Sequence, residues 1–396
     1  MGRIVPEDRV LIRSVADSLV VAADPEAVHA AKSYWVRSRP WVLPVVDALG
    51  SLADEEVSIA GKRLMADSKS RAPYVRLCRE LNRAVARNAP GLAELLELAW
   101  RAECNSRIGY HIGARYEPNR AQGVSTDELS MARARWKCAD DSAMLIVIPF
   151  RDSSTDALRT RNVMACLRAL QDQSADRKDY CIVVVESDEK PRWQHILASL
   201  CDQYIFAPGS GPFNKSWATN VGVRNSDGDH DVVCVLDADA LPDRHFVQRN
   251  IARFRRAGTQ ALLPFREVLW LDSASTEIAL DSRLRGDASS PDISLLRGFL
   301  LRCPPGLCIM VRSGIYASIG GMDERYEGWG GEDTDFALRV AANAALDRYD
   351  DLGLHMYHPP SPVRTLDNRP VNAGIPPISW PRNAKFGLLA RTGECE

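Results

Sequence analysis

Two absences narrow the reading of this chain first. Its ten cysteines stand singly and no Cys-x-x-Cys occurs, which excludes the usual zinc frames. Only Cys303 and Cys308 lie close together, around Pro304-Pro305-Gly306. No apolar run is long enough to span a bilayer, and residues 1–9 carry no long apolar leader core. An excess of one charge is missing too. The 50 basic and 52 acidic residues leave a formal net charge of -2, so no global field draws the protein to nucleic acid or to an anionic membrane. The basic residues are mostly Arg, the usage of a GC-rich bacterial genome. A reduced, cytoplasmic protein without a transmembrane segment or a nucleic-acid partner is the expectation.

What is present is a chain of 396 residues, 45% hydrophobic and 26% charged, long enough for two domains. Residues 1–103 read as a helical domain. Val10, Leu11, Val15, Leu19 and Val20 recur at helical spacing, and Asp24-Pro25-Glu26 has the pattern of a cap with Pro at the first helical position. Further helical runs are 44–53, 74–88 and 91–103, a set of helices through which a homodimer could form. Residues 104–140 are mixed and polar and read as a linker or wrapping segment.

From residue 141 the pattern changes. Short apolar strands at 144–150, 180–185, 203–206 and 231–236 alternate with helices at 156–173, 191–200 and 214–225. This predicts an α/β protein with a Rossmann-like, mostly parallel sheet flanked by helices over 141–360, beside the additional N-terminal α-helical domain. Residues 361–396 form a C-terminal extension. Such sheets hold ligands at the carboxyl ends of their strands.

The candidate chemistry sits at those ends. Asp237-Ala-Asp239 directly follows the strand ending at Leu236, and period-two alternation puts both carboxylates on one side of the chain. Two such acids repel unless a cation lies beside them, and oxygen ligands suit Mg²⁺ or Mn²⁺. His355 and His358 follow later, and a neutral imidazole is a further ligand for such an ion, His358 being the favoured of the two. Pro149-Phe150-Arg151-Asp152 closes the first strand, where Arg suits phosphate and Asp a uracil or ribose edge. After the turn Gly209-Ser-Gly-Pro212, Phe213-Asn-Lys215 opens a helix whose backbone donors, with Lys215, suit a phosphate or nucleobase; an ordinary surface lysine is the plainer alternative. Gly328-Trp329-Gly330-Gly331 is a hinge beside an aromatic, directly before Glu332, Asp333 and Asp335. A carboxylate next to a movable loop is what a general base for a sugar hydroxyl needs.

Taken in order, Pro149-Phe-Arg151, Phe213-Asn-Lys215 with Asn220-Val-Gly222, Asp237-Ala-Asp239, Gly328-Trp-Gly-Gly-Glu-Asp-Thr-Asp335 and His355-Met-Tyr-His358 resemble the GT-A nucleotide-sugar glycosyltransferases. The likeness is to the β-1,4-galactosyltransferase type and related bacterial chondroitin-synthase-like enzymes, and it covers roughly half the chain. The resemblance implies Mn²⁺ (or Mg²⁺) held by Asp239 and His358, with Asp237 nearer the ribose or a metal-bound water. His355 falls on a position that is Met in the galactosyltransferases. Lys215 replaces an Arg that touches the diphosphate, and Trp329 closes over donor and acceptor. Asp333 is the expected base, and Glu332 the residue holding an acceptor hydroxyl. The implied reaction is inverting transfer from a UDP-sugar to a hydroxyl of a glycan or small molecule, since related retaining enzymes carry Asn where Asp333 stands. The helical half and the segment 265–302 have no counterpart in that pattern.

Two other classes compete. One is a non-catalytic nucleotide-sugar or glycan-binding module that works through the helical domain; retention of Asp237, Asp239, Asp333 and both histidines speaks against it. The other is a nucleotidyltransferase, whose usual Gly-rich phosphate loop at the first strand is replaced by Pro149-Phe-Arg-Asp152.

Overall fold

Strands that are apolar at every position need cover on both faces, and the computed structural model of the chain supplies it. It describes residues 7–30, 32–120, 123–131, 141–286, 288–328, 330–359 and 371–389. Among these run nine strands: β1 (Ile108–Ile112), β2 (Asp141–Phe150), β3 (Tyr180–Glu186), β4 (Gln203–Phe206), β5 (Asp229–Leu236), β6 (Ala261–Leu271), β7 (Arg297–Arg302), β8 (Cys308–Arg312) and β9 (Leu346–His355). The chain divides into two compact units. One comprises Met1–Asn119, Glu267–Ser275 and Ile293–Cys303; the other comprises Arg120–Arg266, Thr276–Asp292 and Pro304–Glu396.

In the smaller unit the helix Asp8–Ala23 packs against Lys32–Gly50, Glu55–Ala66, Arg71–Ala86 and Leu92–Asn105. Its apolar stripe, Leu11, Ile12, Val15 and Leu19, is buried as the helical spacing predicts. The helix Glu55–Ala66 was not among the expected runs, and Lys32–Gly50 begins earlier than the expected 44–53, running through Pro40 and Pro44, residues that ordinarily interrupt a helix. Asp24 does precede a helix starting at Pro25, and its Oδ1 accepts from Glu26 N–H at 3.0 Å. Its other oxygen meets Arg297, a fully buried guanidinium that also contacts Asp272 and the Tyr110 hydroxyl. A charge so enclosed is tolerable only with this full set of partners.

The stretch read as a linker, 104–140, carries more order than expected. β1 pairs antiparallel with β7, Tyr110 opposite Phe299, and the short helix Thr126–Ser130 is closed by a capping box of Ser125 and Glu128. Five residues of strand paired with a segment far along the chain leave little local signal. The unmatched segment 265–302 holds the later part of β6, the helix Ser273–Leu284 and β7.

In the larger unit β4, β3, β2 and β5 are parallel neighbours in that order; β8 joins β5 antiparallel, and Ala261 and Leu262 of β6 pair with β8. Leu145, Val147, Val183 and Val185 face one way and pack with Ala218 and Val221 of the helix Lys215–Asn225. Gly222 makes that contact close: a Cβ there would stand 2.5 Å from Val147 Cγ1. The tight packing fixes the helix on the sheet and so places its first residue, Lys215, at the carboxyl edge of the strands. No helix among the described residues is long and apolar enough to cross a membrane.

Candidate active site

β5 ends at Leu236, and the chain turns at the sheet edge where Asp237 and Asp239 stand. The two carboxylates, expected to share one environment, lie in two different ones. Asp237 is locked to the loop before β8: its N–H donates to Leu307 O at 3.0 Å, and its Oδ2 accepts from Leu307 N–H at 3.2 Å. Leu307 has φ +68°, a left-handed angle that costs a non-glycine residue on the order of 1 kcal/mol, and these two bonds hold it there. Asp237 Oδ1 meets Lys215 Nζ at 2.6 Å.

Lys215 is the centre of this half of the site. The same ammonium lies 2.8 and 3.0 Å from the two oxygens of Asp333, so one buried cation bridges the strand-end acid and the helix acid. Burial opposes its charge, but Asp237 and Asp333 outweigh that and hold the ammonium well above the usual lysine range. Asp237, in turn, is pushed up to about 6, chiefly by burial, against the pull of Lys215. Gly306 closes the other side: a Cβ on it would come within 2.5 Å of Asp333 Oδ2. That backbone-to-carboxylate approach gives Gly306 a reason that Pro304-Pro305-Gly306 did not reveal.

Glu332 and Asp333 open the helix Glu332–Asn343, longer at its start than the expected 336–343. The Glu332 side chain folds back so that its Oε2 accepts from Gly330 N–H at 3.0 Å. Burial first, and the Asp333 charge second, push its carboxyl up to about 7. Gly328, Gly330 and Gly331 have φ of +70°, +105° and +103°, angles that side-chain-bearing residues rarely adopt. Trp329, expected to close over the site, lies outside the described residues. Asp335, third of the acids, is buried against Arg339 at 2.7 Å and accepts from Ile378 N–H at 2.6 Å, a structural pairing.

Asp239 faces the histidines. Met356 N–H donates to Asp239 O at 2.8 Å and Leu241 N–H to Leu354 O at 3.0 Å, so the end of β9 runs beside the strand-end turn. This backbone pairing sets His355 Nε2 3.4 Å from Asp239 Oδ1 and His358 Nε2 2.9 Å from Asp239 Oδ2. One ligand atom from each of the three residues lies within 4.8 Å of the others. Asp237 stands outside this group, in the ion pair with Lys215.

Three observations fit a divalent cation here. Among the described residues, Asp239 Oδ1 is buried without a hydrogen-bond partner. His355 is lowered to about 4 by burial, which keeps its ring neutral and able to ligate. His358 Nδ1 stands 2.8 Å from Pro359 O, an acceptor only, and this assigns the ring proton to Nδ1. A neutral His358 then points its Nε2 lone pair at a carboxylate oxygen. A cation shared by the two groups removes that conflict. For Asp239 itself, burial acts to raise the carboxyl, but His355 and the His358 contact override it and hold the group below the usual carboxylate range.

The first-strand residues divide. Arg151 donates to Gly211 O at 2.6 Å and reaches Asp188 at 3.4 Å, which puts its guanidinium at the glycine-rich turn before Lys215. Asp152 is buried and accepts from Thr160 N–H and Thr160 Oγ1, both at 2.8 Å, and from Ser154 N–H at 2.9 Å, so its carboxylate is engaged within the fold. Pro149 lies in β2 opposite Val185, and the Phe150 ring is core. Phe213 is half-buried on the β2–β3 cluster, and its carbonyl accepts from Gly328 N–H at 2.8 Å, tying the helix entry to the glycine loop.

Sequence reasoning passed over Asn372. Its Oδ1 accepts from Glu327 N–H at 3.2 Å and its Nδ2 donates to Gly330 O at 2.9 Å, spanning the glycine loop. Nothing in the C-terminal extension marked this residue, because its partners are backbone groups.

Residues 146–280 match the family model of glycosyl transferase family 2, and residues 305–359 match that of the N-terminal domain of galactosyltransferase. No curated protein sequence matches the chain. Among solved structures, a mutant of Drosophila β-1,4-galactosyltransferase 7 in complex with manganese, UDP-Gal and xylobiose is 18% identical over 55% of this chain and 71% of that one, with a TM-score of 0.32. S. aureus TarS is 16% identical over 54% of this chain and 36% of its own, with a TM-score of 0.37. A mannosyltransferase from Pyrobaculum calidifontis, in complex with GDP-Man and Mn²⁺, is 16% identical over 56% of this chain and 60% of its own, with a TM-score of 0.36. The matched segments contain Lys215, Asp237, Asp239, Asp333 and both histidines. With family 2 sequence over the parallel strands and galactosyltransferase sequence over the residues that close the site, the chain is a glycosyltransferase of the GT-A fold.

Proposed function

We propose that the larger unit moves a sugar, a hexose or N-acetylhexosamine, from a UDP-sugar to an acceptor hydroxyl with inversion, using Asp333 as general base. The observation that carries this reading is the pairing of two sites along one sheet edge: Asp239 with His355 and His358, and Lys215 with Asp237 and Asp333. Asp239, His355 and His358 would hold Mn²⁺ or Mg²⁺, which when bound neutralises charge on the leaving diphosphate. Arg151, at the glycine-rich turn, supplies a second cation to that anion.

The chain's own residues do the rest. Lys215 holds Asp333 in a fixed orientation. A diphosphate arriving near Asp237 offers the ammonium a competing anion, and release of Asp333 leaves its carboxylate to take the proton of the acceptor hydroxyl. Glu332, anchored by Gly330 N–H, orients that hydroxyl. With its carboxyl pushed up to about 7 it is also an alternative base in the site. The cysteines standing singly in the sequence support a reducing cytoplasm as the location.

The test is turnover of a UDP-sugar panel with simple sugar acceptors. Asp333→Asn should lower transfer by ~10²–10⁴ while UDP binding persists. Near-normal transfer by Asp333→Asn, with transfer lost in Glu332→Gln, would reassign the base to Glu332. An α-anomeric product from an α-linked donor would refute inversion.

A further inference from the structure

The helix Lys32–Gly50 of the smaller unit buries Ser38, Val42, Val45 and Leu49, spaced at i, i+4, i+7 and i+11. The opposite side repeats that spacing with Val36, Pro40, Leu43 and Asp47. Val36 is 63% exposed, Pro40 is exposed and Leu43 half-buried, so three apolar residues form a stripe directed away from the unit's core. Arg37 borders the stripe on one side, Arg39 and Lys32 on the other, and exposed Trp41 lies about 40° beyond Arg37, toward the buried face. No acid occurs from Lys32 to Val46. None of the three cations makes an ion pair among the described residues, although the chain as a whole carries a net charge of -2.

We propose that this helix face lies on an anionic lipid surface, with Val36, Pro40 and Leu43 in the headgroup–acyl boundary and Lys32, Arg37 and Arg39 against the lipid phosphates. An amphipathic helix with cations flanking its apolar stripe has the chemistry of an interfacial element. Two features select lipid over protein. A two-fold contact between copies would set Arg37, Arg39 and Lys32 beside their own counterparts with only Asp47 to offset them. Pro40 and Pro44 also lack the N–H groups that the Val36 and Pro40 carbonyls would accept from in an unbroken helix. A dry protein interface would strand those carbonyls, whereas the hydrated headgroup layer leaves them wet.

The experiment uses the full chain and vesicles of phosphatidylcholine, alone or in equal parts with phosphatidylglycerol, in a sedimentation assay. Binding is expected to the mixed vesicles only and should fall as salt rises. Each cation contributes roughly fivefold near such a surface, so Arg37→Gln/Arg39→Gln should weaken partitioning about 25-fold. Val36→Asp should weaken it as well. These side chains are exposed, so melting temperatures should stay at the wild-type value; if the double variant melts early, Arg39→Gln alone, expected at about fivefold, carries the test. Equal binding to neutral vesicles, no binding to mixed vesicles at low salt, or indifference to the Arg substitutions would overturn the proposal. So would a dimer in solution that Val36→Asp dissociates, which would assign the face to a second copy.

Discussion

Replacing Lys215 with Met tests the central electrostatic claim about this site. The ammonium is nearly buried and lies within 3.0 Å of both Asp237 and Asp333. Met keeps most of the volume and removes the charge, leaving two carboxylates in one enclosed space with Glu332 beside them. Removing one partner from a buried ion pair costs ~3–5 kcal/mol. Asp237 and Asp333 are 25% and 21% exposed, so solvent screens part of this and the lower end applies. At ~3 kcal/mol, and ~2–4 °C per kcal/mol for a unit of this size, the melting temperature should fall by roughly 6–12 °C. Differential scanning fluorimetry on the purified protein reads this directly. Adding Asp237→Asn to the Met variant removes one of the stranded charges and should recover part of the loss, a coupling of ~0.5–3 kcal/mol in a double-mutant cycle. Lys215→Arg, which keeps the charge, should lose less than Met. A Met variant that melts with wild type, or strictly additive single and double variants, would show that the bridge carries no energy and would refute the reasoning.

Other perturbations bear on separate parts of the molecule. Asp239→Asn and His358→Ala should abolish the heat of Mn²⁺ binding in calorimetry, while Asp237→Asn should keep it, since Asp237 stands outside the cluster. Asn372→Ala loses two hydrogen bonds to the glycine loop, each worth ~1 kcal/mol; the acceptor KM should rise severalfold, with donor binding unchanged, in steady-state transfer assays. Asp17, in the smaller unit, has its carboxyl pushed up to about 7, first by burial and then against the Tyr74 hydrogen bond at 2.6 Å. Its folded form therefore binds a proton more tightly than the unfolded chain does. Stability is lost as pH rises from the ordinary value of 3.8 to about 7 and is level above that. Asp17→Asn lacks this slope, and its stability relative to wild type in urea should rise by roughly 4 kcal/mol between pH 4 and pH 8.

Much of the catalytic unit was legible because its signals are local. A run such as Met144–Phe150 or Tyr180–Val185 is apolar at every position only if it is covered on both faces, and both became parallel strands. Asp237-Ala-Asp239 sat where a strand had to end. What period-two alternation did not reveal was that the two acids separate, because the partners that divide them come from elsewhere: Leu307 and Lys215 for Asp237, His355 and His358 for Asp239. Gly306, Leu307 and Asn372 were illegible for a related reason. Each acts through backbone atoms or backbone angles, and a one-letter sequence does not display the carboxylate or loop on the far side of such a contact. The smaller unit was read as helices alone because β1 is five residues long and its partner β7 lies far along the chain.

The order in which the site's parts are synthesised has its own consequence. Asp239 is made early, but His358 follows 119 residues later, and Asp333 follows Lys215 by 118. The loop clip at Asn372 comes later still. A nascent chain on the ribosome can thus pair β2, β3 and β5 before His355, His358 or Asp333 has been made. The cluster of Asp239, His355 and His358 cannot assemble until His358 has left the ribosome. Closure of the site therefore trails formation of the sheet that carries it.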